Sequence, residues 1–315
     1  MSIAKQADMT GKNIQTDWPT PRDFGWKLKE TDATTFQIKF HPENDQMVVV
    51  LNQPMVRGGV TSEMIYWWFK HFANLKVRIK NVGNYSDGDV IPAYFLWHPF
   101  DHFGVTQLGV NDEGKLKVGS KFHIQEAMSF DKYERKYLMD ATATIWYLRN
   151  GSYGGQGMGL KSPFGTWLMS SRICWEDVTE DGLQGVHYHY EITVGIANKW
   201  FGKWINPIIR NKKGMSNETF NEWNRHNVIE VGTFENFLPR LYEQRKTIED
   251  KPTSEWILDY DAATDDTAKN LPTQTQSFDP SLVEKRIDGY MKSNNTHEYS
   301  TTTQALGDRF YEPDK

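Results

Sequence analysis

One predicted helix places two ionisable side chains on an otherwise apolar face. Between Ser216 and Arg245 the apolar residues recur in the three- and four-residue steps that are typical of an amphipathic helix. Burial of an unpaired carboxylate is costly, so His226 and Glu230 need a partner. Their spacing fits two alternatives, half of a metal site or a buried hydrogen bond between the two residues. The predicted inward positions are Phe220, Trp223, His226, Glu230, Phe234, Phe237 and Leu241.

Composition limits the class of protein to which the chain can belong. The 315 residues suffice for one large domain, and a net charge of −5 with scattered Lys and Arg disfavours nucleic-acid binding. The single cysteine, Cys174, excludes an intramolecular disulfide and a zinc site built from thiolates. No N-terminal stretch resembles a secretory signal, and no apolar run approaches membrane-spanning length. We therefore expect a cytoplasmic protein that binds neither nucleic acid nor membranes.

The chain divides into three segments by its sequence pattern. Residues 1–40 are polar and are predicted to form an N-terminal arm, with Trp18, Phe24 and Trp26 as docking points. Residues 41–248 carry the elements of a folded catalytic domain. Residues 249–315 are rich in Thr, Asp, Asn and Pro, which predicts a loosely packed tail. Wrapping of this tail over a partner subunit is the alternative.

Short β-type runs precede the long helix. After a strand at 47–51, a helix capped by Thr61 or Ser62 is predicted to run through Phe72. Consecutive strands with short turns indicate an antiparallel meander, and a curved sheet that wraps the long helix is its economical packing. The predicted fold class is α+β in a helix-grip architecture, with a cavity between sheet and helix. The further strands are predicted at 77–80, 90–97, 105–110, 121–130, 141–148, 166–171 and 186–194.

Other candidate ligands lie on or beside these predicted strands. His98 and His102 follow the end of one strand, and either histidine can bind a metal while the other orients a neighbour. Glu126 shares a strand face with Phe122 and Ile124, so its carboxylate is expected to point into the core.

A third group lies on the last predicted strand. His187, His189 and Glu191 share one face there. Two alternatives remain open for this face: one histidine acts as a hydrogen-bond donor or proton shuttle near the site, or the face is solvated.

Two histidines and two glutamates from separate elements make a ligand set of two nitrogens and two oxygens. They are His102, Glu126, His226 and Glu230. Such ligands suit Zn²⁺ best, although Mn²⁺ and Fe²⁺ also fit. Two carboxylates roughly neutralise the dication, so metal-bound water would be less acidic than at a site of three neutral histidines. An accessory acid or base is therefore expected nearby.

The ordered motifs resemble those of the diacetylphloroglucinol hydrolases and phloretin hydrolases. The likeness covers roughly residues 40–245. It rests on Trp67-Trp68-Phe69, Tyr94-x-x-Trp97-His98-Pro99-x-x-His102, Glu126, His226-x-x-x-Glu230 and Phe237-Leu238-Pro239-x-Leu241-Tyr242.

Membership of this family would imply a Bet v 1-like helix-grip fold, a homodimer and a zinc-dependent enzyme. Such an enzyme cleaves the carbon–carbon bond between an acyl group and a phloroglucinol ring, so its substrate is a small phenolic ketone. By resemblance, the zinc ligands would be His102, Glu126, His226 and Glu230.

The remaining site residues are assigned to the substrate. Tyr94 and His187 are candidates for holding the ring hydroxyls, with His189 as the alternative to His187, and His98 is a further candidate for catalysis. An aromatic slot for the substrate ring is also predicted. Its lining residues would be Trp67, Trp68 and Trp97, with core packing as the alternative for at least one of them.

Two other classes of function remain open at this point. A non-haem metal oxygenase acting on phenolics would use similar ligands. A helix-grip protein that binds hydrophobic ligands without catalysis would have no need of the buried Glu126 and Glu230.

Overall fold

An eight-stranded antiparallel sheet is the largest element of the protein. The computed structural model describes residues 22–26, 28–29, 36–83, 85–109, 114–128, 137–156, 169–212 and 217–264. Within these ranges the fold combines this sheet with a three-stranded sheet and five α-helices, which confirms the α+β class. The strands are β1 Phe36–Phe40, β2 Met47–Asn52, β3 Lys76–Lys80, β4 Val90–Pro92, β5 His102–Leu108, β6 Lys121–Met128, β7 Tyr137–Arg149, β8 Ser152–Gln156, β9 Met169–Glu180, β10 Leu183–Val194 and β11 Ile257–Asp261.

The large sheet follows the predicted meander closely. Its spatial order is β1-β2-β10-β9-β8-β7-β6-β5, so the strands from β5 to β10 are neighbours in the order of the chain. The helices are α1 Ser62–His71, α2 Tyr94–Trp97, α3 Lys199–Lys212, α4 Asn217–Gly232 and α5 Phe234–Gln244. Thr61 caps α1 through its side chain, as one of the two predicted alternatives has it.

The two faces of the large sheet differ in what they carry. The inner face holds Phe122 and Ile124 of β6 and Tyr188 and Tyr190 of β10, which line a cavity together with residues of α4. The outer face is the opposite one, to which the alternate residues of these strands point, including His187.

The prediction of one continuous helix at 216–245 is wrong. The structure has two helices there, α4 and α5. At the junction, the hydroxyl oxygen of Thr233 lies 2.7 Å from the carbonyl oxygens of Trp97 and of Glu230, which share its one proton. A threonine bonded back to its own preceding turn bends a helix, and the adjacent Gly232 is a poor helix former. All seven predicted inward positions are nevertheless buried.

The predicted strand at 90–97 is wrong in its second half. Only Val90–Pro92 is a strand, and Tyr94–Trp97 forms the short helix α2. Pro92 has no N–H with which to continue a ladder, and the N–H of Ala93 turns to the carbonyl of Leu75 at 2.9 Å. The turn carries Tyr94 and Trp97 to the inner face.

The structure moves both predicted segment boundaries. Residues 36–40 of the predicted arm form β1 and pair with β2, so they belong to the large sheet. Residues 257–261 of the predicted tail form β11 and pair in parallel with β3, with Leu258 and Tyr260 buried. The sequence pattern missed β11 because the surrounding residues are polar.

The docking points of the N-terminal arm are confirmed in part. Phe24 and Trp26 stack with ring centroids 4.6 Å apart, and Trp26 also stacks on Phe237 at 6.1 Å. Trp26 donates to the hydroxyl of Tyr260 at 3.0 Å, which ties the arm to β11. Trp18 lies outside the described residues.

Among the described residues, none of the helices is both long enough and apolar enough to cross a membrane.

Candidate metal centre

Four predicted ligands meet between the large sheet and α4. His102 begins β5 and pairs in register with Glu126 on β6, while His226 and Glu230 lie one turn apart on α4. All four side chains are buried, with between 0% and 8% of each residue exposed. Residues from three separate elements therefore converge on one point.

Each histidine of this cluster faces both carboxylates. Nε2 of His102 lies 3.7 Å from Oε1 of Glu126 and 3.5 Å from Oε1 of Glu230. Nε2 of His226 lies 3.7 Å from Oε2 of Glu126 and 3.9 Å from Oε2 of Glu230. These separations are too long for hydrogen bonds. An ion about 2.0–2.2 Å from four tetrahedral ligands would space them roughly 3.3–3.6 Å apart, so the cluster has close to the size of one ion.

The fit is closest for three of the four side chains. His102, His226 and Glu230 each offer one ligand atom within 4.8 Å of the other two. Both glutamates turn a different oxygen to each histidine, and Oε1 of Glu126 also accepts a hydrogen bond from the hydroxyl of Tyr94. A single oxygen of Glu126 would complete the set.

Both imidazole rings are held with Nε2 towards the cluster. Nδ1 of His102 donates to the backbone carbonyl of Tyr94 at 2.9 Å, and Nδ1 of His226 donates to Oδ2 of Asp101 at 2.9 Å. Metal-binding histidines are oriented in this way by a carbonyl or a carboxylate. Nε2 of His102 is buried and has no hydrogen-bond partner among the described residues. A cation would give this lone pair a partner.

Without a cation, the pKa values of the cluster favour protonated glutamates and a protonated His226 over the forms that bind a metal. Burial raises the pKa of Glu126, and burial together with the neighbouring carboxylates raises that of Glu230 to about 8. Burial lowers the pKa of His102 well below its usual value. Burial also opposes ionisation of His226, but the hydrogen bond to Asp101 and the two glutamates raise its pKa to about 9. A divalent cation would favour both glutamates in their ionised form.

His98 lies behind the cluster rather than in it. Its ring stacks on that of His226, with centroids 4.6 Å apart and an angle of 7° between the planes. Its Nδ1 accepts a hydrogen bond from the backbone N–H of Asp101 at 3.0 Å, and its Nε2 lies 3.4 Å from Oδ2 of Asp101. His98 therefore does not line the inner cavity with His226 and Glu230, and together with Asp101 and His226 it forms a second group that could hold a metal ion.

A cavity opens from the cluster along the inner face. Glu126, His226 and Glu230 line it on one side, and most of its other walls are aromatic or aliphatic. Its polar groups include three tyrosines and an amide that were not predicted as site residues. They are Tyr153, Tyr188, Tyr190 and Asn227.

The tyrosines of the cavity are strong candidates for hydrogen-bond donors. Burial raises the pKa of Tyr153, Tyr188 and Tyr190, and the carboxylate of Glu230 raises it further in each case. Their hydroxyls therefore keep their protons at neutral pH. Tyr94 lines the same cavity, but its ring stacks on His102 at 3.8 Å and its hydroxyl donates to Glu126. It thus also orients a candidate ligand.

His187 and His189, the predicted substrate contacts, point to the outer face and do not line the cavity. His187 is half-exposed and its Nε2 lies 2.6 Å from Oε1 of Glu180, while Nε2 of His189 lies 2.9 Å from Oε1 of Glu191. The alternation of a strand places Tyr188 and Tyr190 on the inner face instead. The same alternation was visible in the sequence and identifies these two tyrosines.

Of the three predicted slot residues, only Trp97 lines the cavity. Trp67 stacks on His71 with centroids 5.0 Å apart, and Trp68 packs on Phe237 at 5.0 Å. Trp67 and Trp68 therefore act in core packing. Tyr153 escaped the sequence analysis because it lies in a glycine-rich stretch without a clear strand pattern, where the structure forms β8.

Three solved structures share a distant likeness with the chain. Ara h 8.0201 is 8% identical with a TM-score of 0.32, covering 62% of this chain and 97% of that one. SA2116 from Staphylococcus aureus, a protein of unknown function, is 11% identical with a TM-score of 0.30. The match covers 61% of this chain and 98% of that one. The hypothetical protein jhp0584 from Helicobacter pylori is 11% identical with a TM-score of 0.24. The match covers 67% of this chain and 99% of that one. No protein-family model and no curated protein matches the chain.

Proposed function

We propose that the protein is a zinc-dependent hydrolase that cleaves the carbon–carbon bond between an acyl group and a phloroglucinol-type ring. The observation that carries the proposal is the convergence of His102, Glu126, His226 and Glu230 at the wall of an aromatic cavity. Two imidazoles and two carboxylates form a donor set that Zn²⁺ accepts, and the described cluster contains no thiolate. The proposal includes a Bet v 1-like helix-grip fold, which the packing of α4 over the inner face of the sheet supports.

Zinc, when bound by these four residues, would polarise a substrate oxygen and make water more acidic. The chain's own residues do the rest. The aromatic walls take up a planar ring, and they exclude bulk water from it. Tyr188 and Tyr190 donate hydrogen bonds to phenolic or carbonyl oxygens on which negative charge develops.

The chemistry suits acylated phloroglucinols because their ring carbon is basic. Three hydroxyls in meta positions allow the acyl-bearing carbon to accept a proton, which gives a dienone. Water then adds to the acyl carbonyl, the carbon–carbon bond breaks, and its electron pair returns to the ring. In sum, water supplies a hydroxyl to the acyl carbon and a proton to the ring carbon. The products are a phloroglucinol and a carboxylic acid.

The direct test is incubation with phloretin and with diacetylphloroglucinol in the presence of Zn²⁺, followed by mass spectrometry. The proposal expects a phloroglucinol-type product and a carboxylic acid, and Glu230→Gln is expected to abolish both. Oxygen consumption with Fe²⁺ would instead indicate a non-haem oxygenase. Tight binding of either compound without turnover would indicate a binding protein, and both outcomes would overturn the proposal.

The proposal also places the protein in the cytoplasm. A single cysteine, Cys174, leaves the chain without an intramolecular disulfide, as is usual in a reducing compartment.

A further inference from the structure

The third helix presents its apolar side chains to solvent. Trp200 is 85% exposed, Phe201 62%, Trp204 78% and Ile208 51%. Positions 200, 201, 204 and 208 lie on one side of a helix, and we call these four residues the α3 stripe. Large aromatic residues are rarely exposed together on a soluble monomer, so such a stripe marks an interaction surface.

The opposite side of α3 is fixed to the domain by polar contacts. Asn206 is fully buried, and its amide donates to the carbonyls of Asn44 and Ile196 while accepting from the N–H of Ile196. Gly202 packs so closely on Asn44 that a Cβ would lie 2.6 Å from its carbonyl oxygen. The helix therefore buries a polar residue and exposes tryptophans, which is the reverse of a surface helix that has no partner.

Two of the cations around the stripe are paired with carboxylates of the chain, while Lys203 is exposed beside it. Nζ of Lys199 lies 2.5 Å from Oε2 of Glu43, and a guanidinium nitrogen of Arg210 lies 2.5 Å from Oδ2 of Asp45. An amphipathic helix that binds anionic lipids carries a strongly cationic face. Glu43 and Asp45 reduce the positive charge at both ends of the stripe, which makes a protein partner a better fit than anionic lipid.

We infer that the α3 stripe is an interface between two copies of this chain. Trp204 lies midway between Trp200 and Ile208, four residues from each, so the stripe is nearly symmetric about it. A two-fold axis at Trp204 lays two stripes antiparallel, with Trp200 opposite the partner's Ile208. Two-fold dimers with self-complementary patches are the commonest homo-oligomers.

The ends and the area of the stripe fit this pairing. In this pairing, the ion pair of Lys199 and Glu43 lies opposite the ion pair of the partner's Arg210 and the partner's Asp45. Each pair has no net charge, so the two ends do not repel each other. The four side chains expose about 600 Å² per copy, taking 150–250 Å² for a whole aromatic residue. A stable interface buries about 800 Å² per partner, so the stripe with a modest polar rim suffices.

Sedimentation equilibrium of the full-length chain tests the inference. The wild type is expected to be a dimer, and Trp204→Glu is expected to raise the dimer dissociation constant at least about 100-fold, as at a central aromatic hot spot. Leu183→Glu is the matched control, because Leu183 is 46% exposed at the far end of β10. It should leave the dimer unchanged. Circular dichroism checks that each variant folds.

A cross-linking variant keeps the inference testable if Trp204→Glu fails to fold. Trp204→Cys places a thiol beside the two-fold axis and should give a disulfide-linked dimer on mild oxidation, whereas Leu183→Cys should not. A monomeric wild type, a dimer that withstands Trp204→Glu, or the absence of a cross-link through residue 204 would overturn the inference. So would binding of the wild-type monomer to anionic vesicles through this helix. None of these readouts depends on metal or turnover.

Discussion

Histidines and carboxylates lie next to one another on both faces of the large sheet, but their spacing differs. On the outer face, Nε2 of His187 lies 2.6 Å from Glu180 and Nε2 of His189 lies 2.9 Å from Glu191. These are hydrogen-bond distances. On the inner face, the nitrogen–oxygen separations within the four-residue cluster are 3.5–3.9 Å.

This difference separates histidine–carboxylate hydrogen bonds on the outer face from a wider spacing on the inner face, which would fit an ion. In each outer pair the histidine nitrogen reaches a carboxylate oxygen, whereas Nε2 of His102 is buried without a hydrogen bond among the described residues. Residue type alone does not distinguish the two faces, because each carries histidine and glutamate. The spacing and the orientation of the rings do.

The largest expected effect comes from removing an inner ligand. His226→Ala or Glu230→Gln should lower bound zinc from about one per chain to less than about 0.1, and turnover at least about 10³-fold. Glu191→Gln on the outer face is the matched control and should keep both. Metal analysis and a product assay measure the outcome. An active, metal-free Glu230→Gln protein would remove the distinction between the two faces.

A buried histidine without carboxylates provides a second contrast. Burial lowers the pKa of His71 to about 4, and the hydrogen bond between its Nδ1 and the carbonyl of Trp67, at 2.6 Å, offsets only part of this shift. The unfolded chain then binds a proton at higher pH than the native protein does. The contribution of His71 to stability is therefore complete above pH 6.5 and is lost as the pH falls towards 4, by at most about 3 kcal/mol.

Urea unfolding of metal-free protein between pH 4 and 6.5 measures this loss. His71→Phe should show a smaller fall in the free energy of unfolding than the wild type does over that range. Equal slopes for the two proteins would contradict the pKa argument for His71.

The sequence predicted the inner cluster better than the cavity around it. The helical period of His226 and Glu230 and the alternation at Glu126 are local patterns, so they could be recognised without a structure. The choice between His98 and His102 depends on how the chain turns after Pro92, which a strand prediction for 90–97 does not describe. The break at Thr233 depends on a hydrogen bond to Trp97, which is 136 residues away along the chain. Contacts of that range leave no local signal.

The next expected effect tests the support behind His226. Asp101→Ala removes the acceptor of the His226 Nδ1–H, so zinc affinity should fall about 10- to 100-fold. Competition with a chromophoric chelator measures it. His98→Ala should keep most of the metal, whereas His102→Ala should lose it. The reverse pattern would move the ligand from His102 to His98.

The smallest expected effect separates adjacent residues of β10. Tyr190→Phe removes one hydroxyl from the cavity and should lower kcat/KM about tenfold with zinc content unchanged. His189→Gln, the neighbour on the outer face, should leave kcat/KM unchanged. A loss of activity in His189→Gln equal to that in Tyr190→Phe would contradict the assignment of the two faces.

X-ray absorption at the zinc edge tests the central claim most directly. For zinc-loaded wild type we expect a shell of nitrogen and oxygen at about 2.0–2.1 Å, with scattering from two imidazole rings. In His102→Ala the contribution of one ring should disappear, or the protein should fail to hold zinc. A protein that binds no zinc, or zinc with sulfur in its shell or with no imidazole, would contradict the account.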